Sequence, residues 1–171
     1  MKNFHDIEAE CTALFVKLSP CWHLSTSENF EVIFTSNDDY RMGMSIVGIS
    51  ARLFPDVKIL TFELMSNHLH FTLAGDKERI VLFFEAARNK LSRYLKSQGR
   101  TTDLSMMTYL LTPIESLEHA RNVIVYDNRN GYIVNRDHTP FSYPWGANRY
   151  YFNPAVKEYA LQNARKMSFS E

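Results

Sequence analysis

The chain has 171 residues, 45% hydrophobic and 22% charged, enough to bury a real core and ordinary for one soluble globular domain. Lys+Arg and Asp+Glu both number 19, so a nucleic-acid partner has to be held by a local patch and not by global positive charge. Two cysteines, Cys11 and Cys21, are too few for a disulfide framework and lack metal-ligand spacing; they suit a reducing cytoplasm.

No hydrophobic run approaches the ~20 residues of a membrane-spanning helix. Residues 1–6 lack the apolar core of a signal peptide. Both point to a cytoplasmic protein. Residues 6–17 place Ile7, Cys11, Leu14 and Phe15 at helical spacing, which predicts a short helix ending at Pro20. A first strand is expected at residues 22–26, with residues 28–35 as an extra strand or a continuation. Asn37, Asp38 and Asp39 signal the start of a helix over residues 40–54, stopped by Pro55. Apolar runs at residues 57–64 and 69–73 read as two strands joined by Ser66-Asn67. His68 and His70 stand at the start of the second of these. Being two apart on a strand, they face the same way and offer two neutral nitrogen ligands side by side. The plainer reading of such a pair is two polar residues on a wet strand face.

Gly75 and Asp76 open a strongly amphipathic helix at residues 77–98, closed by Gly99. Its apolar stripe runs from Ile80 to Leu95. Arg88, Lys90, Arg93, Lys96 and Arg100 cluster opposite, either as a solvated face or as phosphate contacts. A strand is expected at residues 104–111, and Thr112-Pro113-Ile114-Glu115 reads as a capping box with Pro at the first helical position. The following stretch is ambiguous. Residues 123–126 and 132–134 around Asn130-Gly131 suit a β-hairpin, and propensity slightly favours one. The preceding cap favours a helix, which places Tyr126 and Asn130 one turn apart on one side. The elements make an α+β, ferredoxin-like βαββαβ sandwich with an antiparallel sheet and an additional C-terminal helix carrying the tyrosine. One domain is expected over residues 1–171, with its core at about 20–135 and an aromatic tail at 136–171.

A His-x-His strand, a ferredoxin-like frame and a helix bearing a Tyr with an amide four residues on resemble the single-tyrosine HUH transposases, closest to their REP-associated and related insertion-sequence groups. The matching segments are Met65 through His70, Tyr126 through Asn130, and Tyr143-Pro144-Trp145. Ser66 and Gly131 stand where the family commonly has Pro.

The resemblance implies a DNA transesterase in DNA transposition. It cleaves single-stranded DNA near a hairpin, with Tyr126 as nucleophile forming a 5′-phosphotyrosine intermediate and transferring the strand. It implies a divalent metal, Mg²⁺ or Mn²⁺, held by His68, His70 and Asn130. Single-stranded DNA is the expected partner and no membrane is involved; a homodimer is one arrangement open to the chain. Arg88, Arg93, Lys96 and Arg129 are candidates for phosphate contact, with Arg149 a further one, and Tyr143 and Trp145 for stacking on a base. A non-cutting, domesticated hairpin-binding protein of the same fold, and an unrelated ferredoxin-like ligand-binding domain, are the competing readings. Asp127 is set aside as one position off the tyrosine's side of the helix, His119 is expected to face solvent, and His23 and His138 receive no role.

Overall fold

Alternation of apolar and polar side chains decides which side of the sheet does what. In the computed structural model, which describes residues 3–134, 136–139 and 141–148, four antiparallel strands form one sheet: β1 (Cys21–Thr26), β2 (Lys58–Leu64), β3 (Leu69–Ala74) and β4 (Tyr109–Ile114). Their order is β2-β3-β1-β4. On β3, Leu69, Phe71 and Leu73 point to one face and His70 and Thr72 to the other. The first face, joined by Leu24, Phe62 and Leu64, is covered by the helices α2 (Asn37–Leu53) and α3 (Lys77–Ser97); Ile80, Phe83, Phe84 and Leu91 fill the main core there. The second face is covered by α4 (Leu117–Val134), with α1 (Phe4–Leu18) beside it. A smaller apolar cluster at Cys21, Ala74, Ile114 and Ala120 seats these two helices. The central strand β3 is buried along its whole length because both faces are covered.

The ferredoxin-like βαββαβ order with a further helix is therefore present, and α1 precedes it. A register shift between Ile59 and Thr61 on β2 sets Glu63 directly across from His70, so the two side chains share the α4 face.

Three expectations are corrected. Residues 28–35 form no strand; they are a loop, hung from the β2–β3 connection by the Ile33 and Phe34 N–H groups donating to the Ser66 carbonyl at 2.7 and 3.0 Å. The strand expected at 104–111 begins later: Leu104–Met106 is a single 3₁₀ turn, and the strand is Tyr109–Ile114. Thr112 and Pro113 lie within that strand and not in a helix cap. β4 pairs only with β1, and an edge strand tolerates a residue with no N–H. The cap of α4 is Ser116, whose Oγ accepts the His119 N–H at 3.0 Å.

The helix expected from Pro113 to about Tyr132 holds over the hairpin, with bounds Leu117–Val134, and the contacts of Asn130 and Gly131 explain why they do not turn. Asn130 donates its side-chain amide back to the Tyr126 and Asp127 carbonyls of its own helix, at 3.2 and 3.3 Å. Gly131 is pressed under the ring of Tyr143, so closely that a Cβ there would sit 2.3 Å from the ring. Residues 141–148 return along the outer edge of β2, where the Leu64 N–H donates to the Trp145 carbonyl and the Ala147 N–H to the Phe62 carbonyl, both at 2.9 Å. They close an edge that would otherwise be open to pairing.

Candidate functional site

Where α4 crosses the sheet, its buried positions are Ala120, Asp127, Asn130 and Gly131, spaced three, four and seven apart. Asp127 thus points straight into the sheet, and Tyr126 rides on the shoulder beside it. The sequence reading that discounted Asp127 measured it against the tyrosine; the sheet selects the other residue as the centre of the face.

Asp127 is fully enclosed. Its Oδ1 lies 2.9 Å from His23 Nε2, and its Oδ2 accepts the Thr72 hydroxyl at 2.8 Å. His23 stands on β1 and stacks parallel on His70, with ring centroids 5.8 Å apart. Neither His23 nor Asp127 carries a recognisable local motif. The only signal was positional: an inward-facing polar residue on a strand next to the His pair.

His70 is 1% exposed, and neither ring nitrogen has a hydrogen-bond partner. Burial drives its pKa down to about 4, with the charge of Asp127 pulling the other way. His68, just ahead of β3, is 8% exposed and likewise held below the usual imidazole range by burial. The two rings meet edge to face at 4.9 Å. His68 Nδ1 lies 2.8 Å from Asn67 Oδ1; an N–H there donates to that amide oxygen and leaves Nε2 as the free lone pair. Both imidazoles are therefore neutral at neutral pH, the form that binds a cation.

Tyr126 is half-exposed. Its ring sits edge-on to His70 at 5.6 Å and to His23 at 6.2 Å. Desolvation raises the phenol's pKa, and the charges of Glu28 and Asp127 raise it further. Asn130 is 9% exposed, one turn along. With its amide nitrogen spent on the helix carbonyls, the oxygen is the atom left for another partner.

Glu63 completes the enclosed polar layer. Its Oε2 accepts the Gly131 N–H at 3.1 Å, while Oε1 has no partner. Burial raises its carboxyl to about 8, offset by that N–H and reinforced by Asp127. At neutral pH Glu63 is protonated, so the carboxylate charge beside His70 belongs to Asp127.

Among the described residues, two donor sets have ligand atoms within 4.8 Å of one another: His23, His70 and Asp127; and Glu28, His68 and His70. His70 belongs to both. A buried imidazole with no hydrogen bond to either nitrogen, inside such donor sets, fits a divalent cation.

The remaining candidates divide. Arg129, three residues past Tyr126, is exposed on the same flank of α4. Arg93 and Lys96 are exposed on α3, which covers the opposite face of the sheet from Tyr126 and His70. Arg88 is engaged there by Glu85 at 2.5 Å and by the Met107 carbonyl at 3.3 Å. Tyr143 is buried, its hydroxyl donating to the Leu64 carbonyl at 2.7 Å and its ring against Gly131, which removes the open face that base stacking requires. Trp145 is partly buried, stacked on Tyr40 at 5.0 Å and packed against the main core. Arg149 lies outside the described residues.

Among the described residues, no helix is long and apolar enough to cross a membrane. No protein-family model matches the chain, and no curated protein does. Among solved structures the fold is similar to a REP-associated tyrosine transposase bound to a REP hairpin, with a TM-score of 0.56 at 11% identity over 75% of this chain and 76% of that one. A putative transposase from Deinococcus radiodurans R1 aligns with a TM-score of 0.42 at 21% identity, over 68% of this chain and 89% of that one. At 11% identity the likeness to the first is one of fold.

Proposed function

We propose that this protein is a metal-dependent transesterase that cleaves and transfers single-stranded DNA next to a hairpin, with Tyr126 as the nucleophile. The observation that carries the proposal is one juxtaposition: a half-exposed phenol leaning on a fully buried imidazole whose two nitrogens have no hydrogen-bond partner, the nearer carboxylate oxygen, of Asp127, lying 3.8 Å from Nδ1. A core tyrosine would be enclosed, and a structural histidine would be hydrogen-bonded.

His68, His70 and the Asn130 amide oxygen would hold the cation, Mg²⁺ or Mn²⁺. When bound, such an ion neutralises non-bridging phosphate oxygens and lowers the cost of bringing an anion to an anion.

The chain's own residues do the rest. The Tyr126 oxygen attacks phosphorus and forms a P–O bond as the bond to the 3′-oxygen breaks. The phenol's proton is lost and one is gained by the departing 3′-oxygen, so the products are a 5′-phosphotyrosine and a free 3′-hydroxyl. The ester keeps the bond energy, and attack by another 3′-hydroxyl rejoins the strand. Asp127 fixes His23, and the edges of His23 and His70 set the plane of the tyrosine ring. Arg129, exposed three residues past Tyr126, would meet a neighbouring phosphate.

A Tyr126→Phe comparison tests this. The proposal predicts that the variant binds hairpin-bearing single-stranded DNA as well as the parent and no longer cuts it. Cutting that survives the substitution refutes the assignment, and DNA binding without cutting in both proteins favours a non-cutting hairpin binder of the same fold.

A further inference from the structure

The loop after β1 carries an exposed carboxylate, Glu28, into the group of atoms around His68 and His70, with the three ligand atoms mutually within 4.8 Å. The loop is built to hold it there. Asn67 donates its side-chain amide to the Glu28 carbonyl at 2.5 Å and to the Phe30 carbonyl at 3.3 Å. The opposite atom of the same side chain, Oδ1, holds His68 Nδ1. One amide thus fixes both the imidazole and the backbone of the residue facing it. The Ser27 N–H to the Thr108 carbonyl at 3.0 Å and the Leu69 N–H to the Thr26 hydroxyl at 2.8 Å pin the loop's entrance to the sheet.

Electrostatics give the carboxylate a purpose. A negative charge at this place opposes the approach of an anionic phosphodiester. Left uncompensated, the residue works against the reaction proposed above. Beside a divalent ion the same charge becomes a ligand, and a hard cation prefers it to a third neutral donor. The rival carboxylate, Asp127, already has both oxygens engaged, by His23 and by Thr72.

We infer that Glu28 is a ligand of the divalent cation, completing with His68 and His70 a two-histidine, one-carboxylate set, and that Asn67 is the positioning residue that aligns two of its three members. The inference rests on the cation of the proposed function and adds a loop carboxylate to the donors named there.

The test is Mn²⁺ binding to the metal-free full chain by calorimetry, followed by the visible spectrum of the Co²⁺-loaded protein. Glu28 is exposed and Gln is close in shape, so Glu28→Gln folds as the parent by circular dichroism. It is expected to weaken Mn²⁺ at least ten-fold and to alter the Co²⁺ spectrum, with Glu28→Asp recovering part of both. Asn67→Ala is expected to weaken Mn²⁺ less and to leave the Co²⁺ donor set recognisable. If His68→Ala abolishes binding while Glu28→Gln matches the parent, Glu28 is not a ligand and the metal site itself stands. If Asp127→Asn abolishes binding and Glu28→Gln does not, the ion belongs to the His23 side and the inference is wrong. A parent protein that binds no Mn²⁺ at all removes the inference together with the metal-dependent reading.

Discussion

Glu63→Gln gives the sharpest test of the enclosed polar layer. Unfolded, the Glu63 carboxyl ionises near 4.5, and folded it is raised to about 8. Between those values the native chain keeps a proton that the unfolded chain has released, so stability falls as pH rises, by roughly 5 kcal/mol over the full window at about 1.4 kcal/mol per pH unit. His70 acts oppositely at lower pH. Its folded pKa of about 4 lies below the usual 6.5, so the unfolded chain holds the extra proton and stability rises with pH up to about 6.5. His68, shifted in the same direction, adds to that rise. The opposing effects largely cancel below about pH 6.5, and above it Glu63 acts alone. The expected result is a loss of about 2 kcal/mol between pH 6.5 and 8 in the parent, and close to none in Glu63→Gln. Urea unfolding in the presence of a chelator, followed by fluorescence across that range, measures it. A parent as flat as the variant, or one that gains stability, refutes the protonated Glu63 and with it the account of which carboxylate carries the charge next to His70.

Gly131→Ala pushes a methyl into the Tyr143 ring and is expected to cost about 1–3 kcal/mol in urea unfolding. In a Tyr143→Ala background the same change should cost at least about 1 kcal/mol less, and additive losses would show that the two residues do not touch. Asp127→Ala strips the acceptor from His23 and from the buried Thr72 hydroxyl, and should lower stability by about 2–4 kcal/mol, where a loss under about 0.5 would contradict its role as their anchor. Tyr143→Phe leaves the Leu64 carbonyl without its hydroxyl donor; about 1 kcal/mol of stability is expected to go, with Mn²⁺ affinity unchanged.

The sequence made the sheet readable because periodicity reports which side of a strand is buried, and β2, β3 and α3 have strong periodicity. It misled at β4. Thr112-Pro113 has the chemistry of a helix start, and only knowledge that this strand lies at an edge explains a proline within it. The His68 and His70 pair was legible because two residues apart on a strand is a local relation. So was the Tyr126 and Asn130 spacing, once the helix was chosen, although Asn130-Gly131 favoured a turn until Glu63 and Tyr143 were seen to hold Gly131 in place. His23, Glu63 and Asp127 could not be found locally. They are 40 to 104 positions apart in the chain and meet because β1 and β2 flank β3 and α4 crosses above. Tyr143 misled for a related reason: an aromatic beside proline suits a binding loop, and burial against Gly131, on the helix twelve positions upstream, decides otherwise.

The central claim is that the Tyr126 oxygen bonds covalently to a DNA 5′-phosphate. Incubating the protein with Mn²⁺ and end-labelled, hairpin-bearing single-stranded DNA, then separating the products under denaturing conditions, measures this directly. The account predicts a labelled protein–DNA adduct that survives denaturant, maps to Tyr126 by peptide mass, and is absent without metal and in Tyr126→Phe. Cleaved DNA with no adduct, or an equal adduct in the Tyr126→Phe protein, would contradict it.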